Sequence, residues 1–149
     1  MPLLAISHRQ QTQQADCLAA CAAMVLDYLQ VRVDYQRLTR LLRIRSHGAA
    51  FANLRHLTTL ELHVDIGRGD LAILRTTIEA GSPVIAALDT AYLSYWAEKT
   101  DHAVVVAGLD ATNVVLHDPD LPTGPRWVPI VQFESAWLEH DYLYAVVRS

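Results

Sequence analysis

The chain has 149 residues, 52% of them hydrophobic and 19% charged, with a formal net charge of -4 at pH 7. That length suits one domain, read here as residues 1–149, whose core is large enough to need no disulfide staples. The negative balance argues against nucleic acid as the main partner, because neutralising phosphates takes surplus Lys and Arg. Apolar runs such as AVVVAGL at 103–109 fall far short of the roughly 18 residues a membrane span requires. The opening MPLLAISHRQQ lacks the charged start, long apolar stretch and small-residue cleavage site of a signal peptide, so a cytoplasmic chain is expected.

Helical signals dominate the first half. From Asp16 to Leu29 apolar residues occur at nearly every turn, with Ala filling the remainder. Asp34 is a plausible N-cap for a second helix through about Ile44, and residues 51–60 read as a third. LHVDI at 62–66 alternates like a short strand. Asp70 can cap a helix running to Ala80, stopped by Gly81 and Pro83. The second half changes character. PVIAAL at 83–88 reads as a buried strand, and HAVVVAGL at 102–109 with NVVLHD at 113–118 as two arms of a hairpin. RWVPIV at 126–131 reads as an edge strand, where Pro129 is tolerated. VQFESAWLE suggests a short helix and YLYAVV at 142–147 a last strand. Helices first and mostly antiparallel strands after them give an α+β fold.

The polar stretch QTQQAD at 11–16 leads straight into Cys17, at the first turn of the first helix. A helix N-terminus carries partial positive charge and free N–H groups, which stabilise a thiolate, the nucleophilic form of cysteine. Against that stands the ordinary fate of a free cysteine, a small buried hydrophobe. Cys21, one turn on, is read as packing. Four residues apart on a helix, the two Cβ atoms lie about 5–6 Å from each other, beyond disulfide reach.

A thiolate nucleophile needs a base. His8, His47, His56, His63 and His140 read as loop or polar-face residues. His102 begins an apolar strand after the polar approach EKTD, at a sheet edge that can face a cleft. The hairpin returns to the level of His102 at about Asp118, whose carboxylate can orient the ring and stabilise imidazolium. Asp118-Pro119 also has the innocent reading of a strand-ending turn. His117 should point to the opposite face. An oxyanion needs donors: the Cys17 N–H is one, and the amides of Gln11, Gln13 and Gln14 all qualify on composition.

Taken together, Gln11 six residues before Cys17, the pair Asp16-Cys17, Cys21 leading into AMVLDYL, then HAVVVAG and a closing DP resemble the C39 family of cysteine peptidases. The likeness runs from about residue 9 to 147. It implies a papain-like fold, a helical half carrying the cysteine and an antiparallel sheet carrying histidine and aspartate. It also implies Cys17 as nucleophile, His102 as general base and acid, Asp118 as its orienter and Gln11 as the oxyanion-hole side chain. The expected function is peptide hydrolysis, with leader-peptide processing after a double glycine as the family's best-known form. Two departures stand out. Leu18 occupies the place where the family usually has Gly, a change expected to narrow the cleft or alter the helix start. No transmembrane or ATPase part accompanies the sequence, so a transporter partner would be a separate ABC protein. A second expectation is an inactive C39-like module that binds a peptide without cutting it, and a third is acyl transfer on a small molecule.

Tyr92, Tyr95 and Trp96 precede His102 and are read as packing against the helical half or lining a subsite. Arg32, Arg37, Arg40, Arg43 and Arg45 are read as a solvated face. Scattered histidines without ligand spacing give no metal site, and no Gly-rich phosphate loop is present, so no cofactor is expected.

Overall fold

The computed structural model describes residues 3–149. Helix α1 spans Cys17–Tyr28, and each residue from Leu18 to Leu26 is buried. A helix apolar on every side belongs in the interior, and α1 is the central helix of its half. Asp16 sits at its N-cap position without capping it; the carboxylate turns instead to Thr12 Oγ1 at 2.5 Å and Tyr35 Oη at 3.4 Å.

Helix α2, Tyr35–Leu41, ends three residues before the predicted Ile44. Arg43 adopts φ 56°, a left-handed turn that no helix continues through. Asp34 holds the N-cap position but makes no side-chain capping bond. The predicted third helix is a 3₁₀ helix over Phe51–Leu60. The reason is legible in hindsight. Phe51, Leu54, Leu57 and Leu60 recur every third residue, the period at which 3₁₀ side chains line up.

Strand β1 covers His63–Arg68 and helix α3 Leu71–Glu79, with Asp70 capping the helix through a 2.8 Å bond from the Ile73 N–H. Then come β2 (Val84–Asp89), β3 (Asp101–Leu109), β4 (Asn113–His117) and β5 (Arg126–Pro129), followed by α4 (Ile130–Leu138) and β6 (Leu143–Arg148). The predicted strand through Val131 stops at Pro129, and Ile130 and Val131 open α4 instead. The six strands form one antiparallel sheet in the order β1-β6-β2-β3-β4-β5. β5 lies at its edge, where the missing Pro129 N–H costs no ladder bond.

Alternation divides the sheet between two cores. Ile85, Ala103, Val105, Ala145 and Val147 pack with α1, α2 and the 3₁₀ helix. Val84, Ala86, Leu88, Val104, Val106 and Val146 face the other way, with Phe133 and Trp137 of α4. A one-residue register slip would exchange the two sets. No described helix is long and apolar enough to cross a membrane.

Candidate active site

Cys17 is the first residue of α1, so its side chain lies at the positive end of the helix, half-buried. His102 is the second residue of β3, only 8% exposed. Cys17 and His102 line the same two cavities, and Cys17 is near enough to help raise the His102 pKa. The ring itself is engaged: His102 Nε2 lies 2.6 Å from Asp118 Oδ1. Asp118 directly follows β4 and is fully buried. Thus the structure places Cys17, His102 and Gln11 on one cavity and pairs His102 with Asp118. Nε2 is taken by the carboxylate, which leaves Nδ1 free of it.

The electrostatics follow from burial and partners. Burial pushes the His102 pKa down, but hydrogen bonds and negative charge from Asp118 and Cys17 outweigh it, leaving it raised to about 9. At neutral pH the imidazolium form is therefore favoured, paired with the Asp118 carboxylate. Burial pushes the Asp118 carboxyl up, yet its hydrogen bonds and the His102 charge hold it below its usual value. Cys21 is fully buried in the helical-side core, and burial raises its thiol well above the ordinary value. It is inert packing, as read from sequence.

Sequence reasoning missed what holds Asp118. Tyr95 Oη donates to its Oδ2 at 2.7 Å and Trp96 Nε1 at 2.8 Å. The Asp120 N–H donates to Oδ1 at 2.9 Å. Trp96 also meets the His102 ring edge-on, with centroids 4.8 Å apart. Both aromatics pack on the sheet-side core, not on the helical half as expected. Position alone could not show this, because loop 90–100 folds back onto its own base: Thr90 Oγ1 bonds the carbonyls of Glu98 and Thr100. Tyr95 is stacked under the Arg126 guanidinium, 4.2 Å from its ring centre. Burial and the Asp118 charge push the Tyr95 hydroxyl pKa far up, so it remains a donor.

Gln11 lines the same cleft, but its amide is turned inward. Nε2 donates to the carbonyls of Gln13 and Gln14, each at 3.0 Å. Its buried Oε1 finds no hydrogen-bond partner among the described residues. Its backbone N–H is bonded to Pro119 O at 2.7 Å. His117 turns away from Asp118, as alternation predicts, and meets His8, with the two Nδ1 atoms 2.9 Å apart. Burial, then the His8 charge, lowers the His117 pKa to about 4. Leu18 does not disturb the helix start; it is buried in the helical-side core.

Two cavities flank Cys17 and His102. One, of about 510 Å³, is walled by the glutamines, Tyr95, Trp96, Glu98 and Asp120. The other, of about 580 Å³, opens over Leu18, Phe51, Ala87 and Leu143. No group of three or more His, Cys, Asp or Glu able to hold a metal ion occurs among the described residues.

A cysteine at the head of a buried helix, set against a histidine on an antiparallel sheet, defines the papain-like α+β class. Residues 5–144 match the model of the Peptidase C39 family, and the chain belongs to that family of cysteine peptidases. A protein described as a C39-like peptidase from Bacillus anthracis superposes with a TM-score of 0.79 at 17% identity, over 100% of this chain and 98% of that one. The peptidase domain of Streptococcus ComA, a bifunctional ABC transporter of a quorum-sensing pathway, gives 0.79 at 17% identity, over 97% and 98%. A double-glycine-motif protease from an AMS/PCAT transporter, solved with its leader peptide, gives 0.77 at 17% identity, over 99% and 94%. No curated protein sequence matches the chain.

Proposed function

We propose that this chain is a cysteine peptidase in which Cys17, His102 and Asp118 act as a triad. The observation that supports the reading best is the 2.6 Å contact of His102 with the buried Asp118, in a cleft that His102 shares with Cys17 at the head of α1. The Cys17 thiolate attacks a peptide carbonyl carbon and forms a tetrahedral oxyanion. The imidazolium of His102 gives its proton to the leaving nitrogen, the C–N bond breaks, and a thioester remains. His102 then takes a proton from water, whose oxygen attacks the thioester. The C–S bond breaks, releasing a carboxylic acid and the thiolate. Asp118 holds the ring and stabilises its positive charge throughout.

The oxyanion rests on the Cys17 N–H and the Gln11 amide. In that role Gln11 Nε2 exchanges one of its bonds to the Gln13 and Gln14 carbonyls for the oxyanion. The substrate is a peptide. A leader peptide with a double glycine is the proposed form, since a structural neighbour is a protease of that motif bound to a leader peptide. The proposed setting is the cytoplasm, with any ABC transporter as a separate partner.

The test is the rate of Cys17 alkylation by iodoacetamide between about pH 4 and 9, read by mass spectrometry, alongside cleavage of a leader-type peptide. Alkylation that stays fast well below about pH 8.5 and changes in His102→Ala is expected. Cys17→Ala and His102→Ala each abolish cleavage while the fold survives. Cleavage retained by Cys17→Ala overturns the reading.

A further inference from the structure

The segment that carries Gln11 and the turn that follows Asp118 are fastened side by side. Gln10 Nε2 donates to Asp120 O at 3.4 Å, and the Gln11 N–H to Pro119 O at 2.7 Å. Next to them, His8 Nε2 lies 2.7 Å from Leu121 O, and the Nδ1 atoms of His8 and His117 lie 2.9 Å apart. His117 is only 2% exposed. Gly124 closes over both rings, where an added Cβ would meet the two Nδ1 atoms at 2.6 and 2.7 Å. No step of the proposed reaction uses either histidine.

The hydrogens in this contact can be counted. A carbonyl only accepts, so His8 Nε2 carries a hydrogen for Leu121 O. One hydrogen then fits between the two Nδ1 atoms. With both rings neutral it belongs to His117, which donates to His8. One added proton makes His8 an imidazolium, which donates to a neutral His117. Either way the bond is kept. A second proton puts a hydrogen on both Nδ1 atoms and a positive charge on both rings, and the contact has no acceptor left. The ionisable groups on adjoining elements are engaged elsewhere. Arg9 turns to Asp27 and Tyr35, Asp118 to His102, Asp101 of β3 to His140 and Arg126 of β5 to Tyr95, while Asp120 borders the polar cavity. His8 is the charge that bears on His117.

We propose that His8 and His117 are positioning residues for the reaction, a proton-operated clamp that holds the Gln11 amide and the Asp118 carboxylate at one spacing and lets go in acid; the positioning role rests on the peptidase reading above. Gln11 follows His8 by three residues and Asp118 directly follows His117, so parting the two rings loosens both segments. The closed clamp resists the second proton. Burial and the His8 charge hold it off His117 down to about 4. Once the rings part, an ordinary imidazole takes it near 6.5. From about pH 7 to about pH 5 the closed form therefore loses ground to the open one by a factor on the order of ten to a hundred.

Opening is read from hydrogen exchange at the Gln11 amide, which the bond to Pro119 O protects. In the full-length wild-type chain its protection factor is expected to fall about ten- to hundredfold from about pH 7 to about pH 5. His117→Asn keeps a donor at the Nδ1 position and takes up no proton, so its protection should stay level. His8→Ala should lose about tenfold or more of that protection at pH near 7. Its cleavage of a leader-type peptide should show kcat about tenfold lower with KM within about twofold, the mark of a displaced transition-state donor, and His117→Asn should restore most of kcat relative to His117→Ala. If His8→Ala fails to fold, His8→Gln takes its place, since it keeps a donor for Leu121 O and loses the Nδ1 contact. Wild-type protection that stays level with pH, or that falls equally in His117→Asn, overturns the clamp. Faster Gln11 exchange in His8→Ala with an unaltered kcat overturns the positioning role. A clamp that opens as expected in a wild-type chain that cleaves no peptide leaves the clamp standing and rejects the peptidase reading.

Discussion

Asp118 has both carboxylate oxygens occupied. Oδ1 meets His102 and the Asp120 N–H, while Oδ2 receives Tyr95 and Trp96. Fully coordinated, it stays ionised in a place where burial opposes charge. Tyr95→Phe removes one donor and leaves the packing. It is expected to lower stability by about 1–3 kcal/mol in urea unfolding, because a buried charge loses a partner. The same pair sets a pH signature. The His102 pKa is raised to about 9, so its stabilisation is full below about pH 6.5 and lost as pH rises through about 9. The Asp118 pKa is lowered, so its stabilisation is present above the usual value near 4 and lost as pH falls through the depressed one. The difference in urea midpoint between wild type and His102→Ala should therefore shrink between about pH 6.5 and 9. A constant difference across that window would contradict the ion pair. Cys17, His102 and Asp118 were legible because a helix start, a strand start and a hairpin return fix positions from sequence. Tyr95 and Trp96 were not, since their placement depends on how loop 90–100 closes on Thr90 and how Arg126 of β5 lies over Tyr95.

At the scale of the element, the segment before α1 is held by an acid that does not cap. Asp16, buried, bonds Thr12 in the glutamine loop and Tyr35 in α2. Asp16→Ala should free that loop and slow Cys17 alkylation, whereas Asp16→Asn keeps an acceptor for Thr12 and most of the rate; the comparison is read by mass spectrometry. Asp70 is the opposite case, a true N-cap remote from the cleft. Asp70→Ala should cost about 1 kcal/mol of stability and leave alkylation unchanged. Gly124 marks a third constraint: an added Cβ would stand 2.6 Å from His8 Nδ1 and 2.7 Å from His117 Nδ1. Gly124→Ala should lower the melting temperature by forcing that histidine pair apart. Element types were readable where period and caps agreed, as at Asp70. The length of α2 was not, because its end depends on the backbone turn at Arg43. The third helix is 3₁₀ and not α because its apolar residues recur every third position, a spacing that says little until the segment's packing is known.

Across the whole molecule, one sheet serves two cores, with neighbouring residues of β2, β3 and β6 feeding opposite sides. Neither core can lose its wall without exposing the other. Unfolding is expected to be one cooperative transition, checked by whether far-UV circular dichroism and tryptophan fluorescence coincide in urea. Trp96 and Trp137 report the second core, so a local transition there would separate the two signals. The α+β class and the antiparallel hairpin could be read from composition along the chain. The sheet order could not, because β6 inserts between β1 and β2 and only long-range pairing decides that.

The segment leading into the glutamine loop is fastened far from its own sequence neighbours. Leu4 N–H bonds Ala107 O, His8 meets His117 at a separation of 109 residues, and Gln11 N–H bonds Pro119 O. A chain emerging from the ribosome therefore exposes Cys17 and the glutamines long before their anchors exist. Helix α1 can form early, but the cleft around it takes shape only once the hairpin of β3 and β4 and the turn beyond it have been made. The proposed nucleophile is thus synthesised well before its proposed partners, His102 and Asp118, are in place.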